Sequence, residues 1–198
     1  LSCQSWQEAG LFDPELFGNT GFTPLFTHTI GIRNFINALW TGKPACILVV
    51  DWFLNKPEEA RYLLLLMRPG HIIGGPALFN MLIEFFRQFP ELKTALRIDL
   101  KSAISIGAPY NLATARQLKS ALGIELFNAF GTTETQMVLL NKSGTEGSFN
   151  DGSLGSPLPG VSIRLKETEN TGLYEMLIRS PYQSSRVINE VLPTDPYF

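Results

Sequence analysis

Three stretches of strand length are each followed by a stretch with helical periodicity, and this alternation most constrains the fold. The units are 45–67, 71–89 and 103–122, and a further apolar run leads into Phe130. The first of these strands, 45–50, is continuously apolar, which is typical of a strand buried on both faces of a parallel sheet. Repeated strand-helix units imply right-handed crossovers between parallel strands. The sequence therefore predicts an α/β fold with a parallel sheet and flanking helices.

The chain changes character near its C-terminal third. Gly, Ser, Asn and Pro dominate 141–159, and such a composition is typical of a linker. Residues 161–166 and 173–179 then alternate apolar and polar residues, as antiparallel strands do. We predict that 1–142 forms the α/β subdomain. We expect 143–198 to form a linker and part of a small antiparallel β-barrel subdomain.

Charge and composition exclude several classes of partner. The net charge of −2, without a long basic run, argues against nucleic acid. The longest apolar run, 62–67, is too short to span a bilayer, and 1–17 lacks the pattern of a signal peptide. The two cysteines, Cys3 and Cys46, lack metal-ligand spacing and suit a reducing compartment. We expect a cytoplasmic protein with no membrane span, and an excerpt of a longer chain.

A polar segment follows the apolar run that ends near Phe130. Gly131 permits a close backbone approach, and Thr132, Thr133 and Glu134 follow without an intervening apolar residue. Hydroxyls and a carboxylate together suit a phosphate oxygen and its Mg²⁺. A solvated turn between two strands would have the same composition, so both interpretations remain open on these residues alone.

Small residues follow two other predicted strands. Gly107, Ala108 and Pro109 follow the strand 102–106, at the carboxyl end where open α/β sheets bind ligands. Gly74 and Gly75 follow the strand 71–74 and leave space for a ligand. Ordinary loops also contain such small residues, so these segments alone leave both a ligand site and a simple loop open.

His28 lies between a predicted strand, 21–26, and a predicted helix that begins near Ile30. A histidine at such a junction can make a structural hydrogen bond or face a ligand. The residues alone leave this choice open.

The segment Asn128-Ala129-Phe130-Gly131-Thr132-Thr133-Glu134 resembles the aromatic-Gly-x-Thr-Glu loop of the adenylate-forming superfamily. Acyl-CoA synthetases, aryl-acid ligases and peptide-synthetase adenylation domains belong to this superfamily. Residues 24–31, 74–76, 107–109 and 155–160 resemble further family segments in the same order. The resemblance covers most of the chain. It implies the central part of the N-terminal large domain, with a flavodoxin-like α/β subdomain.

The resemblance implies a carboxylic acid ligase that uses ATP and Mg²⁺. Such an enzyme forms an acyl-adenylate and passes the acyl group to the thiol of coenzyme A or of phosphopantetheine on a carrier protein. Its partners would be a small-molecule carboxylic acid, a carrier-protein domain and the remaining parts of the same polypeptide. By resemblance, Thr133 and Glu134 are catalytic and Glu134 binds the metal. The implied nucleotide site comprises Gly107, Ala108, Pro109, Asn128, Ala129, Phe130, Gly131 and Thr132, and the implied acyl pocket comprises His28, Gly74 and Gly75.

The chain also departs from the family pattern. The lysine-containing phosphate loop, the Thr-Gly-Asp and the lid lysine are not found in it, so we expect this excerpt to be inactive alone. No acidic residue occurs in 17–50, which favours an acid without an α-amino group. Small residues at Gly74, Gly75, Gly107 and Ala129 favour a roomy apolar pocket for an aryl, branched or medium-chain acid. The alternative is a degenerate, non-catalytic scaffold or interaction domain within a larger synthetase.

Overall fold

A computed structural model describes residues 20–22, 29–47, 50–108, 112–141, 153–170 and 172–184 of the chain. Within these residues the strands are β1 (Thr20–Phe22), β2 (Ala45–Ile47), β3 (His71–Gly74), β4 (Ser102–Ile106), β5 (Leu126–Thr132), β6 (Gln136–Asn141), β7 (Ser156–Pro157), β8 (Ser162–Glu167) and β9 (Tyr174–Arg179). The helices are α1 (Thr29–Thr41), α2 (Val50–Asn55), α3 (Pro57–Met67), α4 (Pro76–Gln88), α5 (Glu91–Asp99) and α6 (Leu112–Leu122).

Strands β1 to β7 form one sheet in the order β2-β1-β3-β4-β5-β6-β7. Every pair from β2 to β5 is parallel, whereas β6 and β7 join the edge antiparallel. Strands β8 and β9 form a separate antiparallel pair. The predicted α/β class, with a mostly parallel sheet, flanking helices and a small antiparallel unit, is therefore confirmed.

Successive side chains of each central strand enter different cores, because side chains in a strand alternate between the two faces. Ile72 of β3 packs with helices α2 to α6, and its neighbour Ile73 packs in a second core. Phe79 and Phe86 of α4 are fully buried in the helix-covered core. Burial of a side chain of this size contributes about 1.5–3 kcal/mol. The sheet is thus fixed from both faces, which gives the ends of its strands a rigid support.

Several predicted elements have the expected bounds, and others differ. Strand β4 matches the predicted strand 102–106, which Gly107 follows. Helix α3 begins at Pro57 and ends where the predicted unit 45–67 ends. The predicted strand 45–50 was too long, since β2 ends at Ile47 and α2 begins at Val50. An i,i+4 hydrogen bond of 2.6 Å, from Asn55 Nδ2 to Asp51 Oδ1, supports that helical turn. Part of the predicted strand 21–26 lies outside the described residues.

Helix α1 buries polar residues and exposes apolar ones. Its apolar residues Ile32, Phe35, Ile36 and Leu39 are 40–66% exposed. Arg33 is only 6% exposed, and the neighbouring Asn34 is buried and donates a hydrogen bond of 2.8 Å from Nδ2 to the carbonyl oxygen of Ile30. The apolar periodicity predicted the helix but not the face that packs inward. The only charged residue of α1 is therefore held in the interior.

None of the helices described is long and apolar enough to cross a bilayer.

His71 makes the described fold sensitive to acid. Its ring is fully buried, with Nδ1 2.5 Å from Ser102 Oγ on the neighbouring strand, and burial lowers its pKa from 6.5 to about 3. Below pH 6.5 the unfolded chain binds a proton at His71 that the native chain does not bind. The free energy of unfolding is therefore fully retained above pH 6.5. It should fall by about 1.4 kcal/mol for each pH unit below that value, down to the folded pKa.

Hydrogen exchange of β3 in the full-length protein measures this loss of stability. The exchange is compared at about pH 7 and about pH 5, after correction for intrinsic exchange rates. Protection should decrease at the lower pH. The decrease should be smaller in His71→Gln, whatever the stability of that variant at neutral pH. An equal decrease in both proteins would assign the acid sensitivity to other groups.

Candidate functional site

The polar segment identified in the sequence forms the tip of the β5–β6 hairpin. The pairing of the two strands shifts register between Phe130 and Gly131, which marks a β-bulge. A Cβ atom added to Gly131 would lie 1.9 Å from the carbonyl oxygen of Gln136 on the opposite strand. No side chain can be accommodated at that distance. The bulge therefore requires glycine and brings both strands together directly beneath the turn.

Hydrogen bonds between two threonines close the turn. The backbone N–H of Thr132 donates to Thr135 Oγ1 at 3.2 Å, and the N–H of Thr135 donates to Thr132 Oγ1 at 3.1 Å. Gln136 Nε2 donates to the carbonyl oxygen of Thr133 at 2.7 Å. Thr135 is buried, whereas Thr133 is exposed. These hydrogen bonds fix the turn on its buried side and leave Thr133 exposed.

Glu134 is held from outside the hairpin as well. The backbone N–H of Ser184, which follows β9, donates to its carbonyl oxygen at 2.7 Å. The side-chain hydrogen bond with Thr132, and then one from its own backbone N–H, keeps the pKa of the Glu134 carboxyl below its usual value. The carboxylate is therefore ionised at neutral pH, on a backbone that cannot move freely.

Glu134 is the one carboxylate of this turn, which limits the kinds of metal ion that the turn could bind. Across the described ranges, no group of three or more His, Cys, Asp or Glu side chains could hold a metal ion without help. A Mg²⁺ ion commonly binds one or two protein carboxylates and completes its octahedron with phosphate oxygens and water. The chemistry of Glu134 and the neighbouring hydroxyls fits that mode.

A cavity of about 340 Å³ opens at the carboxyl ends of β4 and β5. Asn128 is buried on β5, and Phe130 lies two residues further along the same strand. Leu154, from the segment before β7, closes the cavity. The remaining lining consists of residues with little or no side chain, namely Gly107, Ala108, Ala129 and Gly131. The cavity thus brings together six of the residues predicted for nucleotide binding.

A second cavity, of about 100 Å³, lies next to the first and shares Gly107 and Gly131 with it. Its apolar lining comes from Ile30, Ile106 and Met137. Its polar lining comes from Arg33, Thr132, Thr133 and Gln136. Gly107 adopts φ +94°, a conformation that favours glycine, and an added Cβ would contact Ile30 Cδ1 at 3.7 Å. The two cavities therefore meet where side chains are absent.

The structure places other predicted site residues elsewhere or leaves them undescribed. Gly74 and Gly75 lie at the end of β3 and are not among the described residues that line either cavity. A Cβ on Gly75 would lie 3.8 Å from the carbonyl oxygen of Ile106. His28 and Pro109 lie outside the described residues.

Arg33 was not among the predicted site residues, because 17–50 was interpreted only from its lack of acidic residues. The sequence feature that could have identified Arg33 is that it is the only charged residue of α1. Lone charges in apolar segments are seldom buried without a function or a partner.

Comparison with known proteins finds a family that matches most of the chain. The family model described as "AMP-binding enzyme" matches residues 21–184. The mitochondrial acyl-coenzyme A synthetase ACSM3 of Rattus norvegicus is 29% identical over 124 residues, which cover 63% of this chain and 19% of that protein. The malonate–CoA ligase of Arabidopsis thaliana is 27% identical over 137 residues, which cover 63% of this chain and 22% of that protein. The chain spans about a fifth of the length of these curated relatives.

Solved structures share the fold. The crystal structure of CmiS6 has a TM-score of 0.73 at 21% identity, with 92% of this chain and 44% of that chain covered. A malonyl-CoA ligase, in a ternary product complex with methylmalonyl-CoA and AMP, has a TM-score of 0.67 at 21% identity. That match covers 92% of this chain and 40% of the ligase chain. At these identities the structural likeness establishes the fold alone.

Proposed function

Because the chain belongs to the AMP-binding enzyme family, we propose that it forms part of an ATP-dependent carboxylic acid ligase. The enzyme would join the acid to AMP as an acyl-adenylate and then pass the acyl group to a thiol. Coenzyme A is the acceptor favoured by the names of the relatives, which are an acyl-CoA synthetase and a malonate–CoA ligase. The pantetheine of a carrier protein remains the other proposed acceptor. The cytoplasm is the proposed compartment.

The observation that carries this proposal is the pair of adjoining cavities. Adenylation requires a nucleotide and an acid to be held side by side, so that a carboxylate oxygen attacks the α-phosphorus and pyrophosphate leaves. The larger cavity has a phenylalanine ring and a buried amide, which suit a purine base. The smaller cavity begins at the shared glycines, Gly107 and Gly131. An acid bound there has its reacting carboxylate next to the nucleotide's phosphate.

The turn supplies polar groups at this junction. Thr133 would donate a hydrogen bond from its hydroxyl to the α-phosphate, where negative charge increases during the attack. Glu134 would hold Mg²⁺, which when bound neutralises phosphate charge. Phe130 would stack on the adenine, with Asn128 and the backbone at Ala129 beside it. In the second half-reaction the thiolate attacks the carbonyl carbon and AMP departs with the bonding electrons.

The acid is proposed to lack an α-amino group. A substrate ammonium group needs an acidic partner in a pocket that excludes water. The described lining of the smaller cavity contains no acidic residue and includes Arg33 instead.

Acid-dependent exchange of pyrophosphate into ATP by the full-length protein containing this chain tests the proposal. The panel comprises short dicarboxylic, fatty, aryl, keto and amino acids, with Mg²⁺ present throughout. Exchange should depend on one acid class and should not occur with amino acids. If a folded protein supports no exchange with any acid, the scaffold alternative is the better description, and the intact Thr133–Glu134 pair has another role.

A further inference from the structure

We propose that Leu154 forms the wall of the larger cavity that determines which substituents a bound purine base can carry. The inference rests on the proposed ligase function, because that function places the base in this cavity. The sequence did not predict such a role, since Leu154 lies in the segment 141–159, whose composition is typical of a linker. The structure places it in the lining of the larger cavity, together with Asn128 and Phe130.

The chain on both sides of Leu154 is fixed against strand β6. A Cβ atom added to Gly155 would lie 2.2 Å from backbone atoms of Leu140, and its φ of +90° favours glycine. Asn141 Nδ2 donates a hydrogen bond of 3.2 Å to the carbonyl oxygen of Ser153. Strand β7, which begins directly after Gly155, then pairs with β6. Because both chain neighbours of Leu154 are held in this way, its side chain lines the cavity from a defined position.

The composition of the lining gives Leu154 its influence on the shape of the cavity. Apart from Asn128 and Phe130, the other described lining residues are glycine or alanine. The cavity volume of about 340 Å³ is near the lower end of the range for small-molecule sites, about 300–1,000 Å³. A base held there has little spare room beside a leucine side chain. Truncation of Leu154 would therefore enlarge the cavity while the stacking ring and the amide remain.

Leu154 also contributes to the fold, and this contribution must be separated from contact with the base. The side chain is half-buried and packs against a cluster from β6 and β9, namely Val138, Leu139 and Ile178. Met176 of β9 packs against the same cluster but is not among the described residues that line the cavity. Loosening the cluster should affect all nucleotides alike. A wall that contacts the base should instead change the preference between unsubstituted and substituted bases.

The test measures equilibrium binding of ATP with Mg²⁺ to the full-length protein containing this chain, alongside ATP analogues with a bulky group at N6, C2 or C8 of the base. Leu154→Ala should weaken binding of ATP about 10-fold, because an apolar contact is lost. It should strengthen binding of at least one analogue about 10-fold, because the vacated space accepts the added group. Met176→Ala, which loosens the same cluster away from the cavity, should keep the wild-type ratio of ATP to analogue affinity.

Equal changes in affinity for ATP and for every analogue in Leu154→Ala would show that Leu154 acts through the fold alone, and would overturn the inference. The same change of preference in Met176→Ala would overturn it as well. Leu154→Val removes less of the side chain and should change the preference in the same direction, so the comparison remains available if Leu154→Ala does not fold. Wild-type exchange activity with an unchanged preference in the variants would refute this role and leave the ligase intact. A wild type that binds no ATP would refute both.

Discussion

Gly131→Ala is expected to unfold the tip of the β5–β6 hairpin and to abolish adenylation. The added Cβ would lie 1.9 Å from the carbonyl oxygen of Gln136 and 2.8 Å from Cα of Met137, both of which are backbone atoms. Rotation of a flexible side chain cannot relieve such a contact. Overpacking in a core typically costs about 1–3 kcal/mol, and a clash with backbone should exceed about 3 kcal/mol.

Hydrogen exchange of residues 126–141 in the full-length protein measures this effect, alongside pyrophosphate exchange. Protection in that segment should be lost, while the sheet around β3 and β4 stays protected. Gly75→Ala is the matched control for stability, because its Cβ would lie 3.8 Å from its nearest neighbour and its φ is not positive. Native protection of the hairpin in Gly131→Ala would show that the bulge can relax.

Glu134→Gln should lower the rate of pyrophosphate exchange by about 100-fold to 1,000-fold, the range seen when one group that stabilises transition-state charge is removed. The amide has the shape of the carboxylate and can still accept the hydrogen bond from Thr132, so the turn should remain folded. Only the negative charge is lost. The hydrogen bonds at Glu134 lower its pKa, so the wild-type carboxylate keeps this charge at all pH values above its usual pKa.

The measurement is a titration of exchange activity with Mg²⁺. The variant should need more Mg²⁺ for half-maximal activity and should not regain the wild-type maximum. Glu167→Gln, on the exposed strand β8, should behave like the wild type. Wild-type exchange by Glu134→Gln at low Mg²⁺ would remove Glu134 from the proposed machinery.

Local sequence signals were sufficient where an element's ends are determined by its own residues. Pro57 starts α3, Gly123 follows the end of α6, and both helices end where the predicted units 45–67 and 103–122 end. Strand β6 was missed, because Gln136–Asn141 reads as an apolar run whose conformation depends on its pairing with β5.

Part of the candidate site could likewise be predicted from the local sequence, and part could not. Six residues that the resemblance implied for nucleotide binding come from a contiguous motif and a strand end, and they line one cavity. Arg33 could not be placed from the sequence, because its position depends on how α1 is rotated against the sheet. The apolar residues of α1 suggest a rotation in which Ile32 and Phe35 face inward, yet both are exposed. Tertiary packing decides that rotation, and a single helix does not encode it.

The hydrogen bond from Ser184 to the carbonyl of Glu134 also bears on recombination between members of this family. A chimera joined in the segment between β6 and β7 takes the turn that carries Glu134 from one parent. It takes Ser184, which donates the hydrogen bond to that turn, from the other parent. The donor is a backbone N–H, so residue identity at position 184 matters less than the path of the chain after β9. Crossover points placed after Ser184 take the turn and the Ser184 hydrogen-bond donor from the same parent.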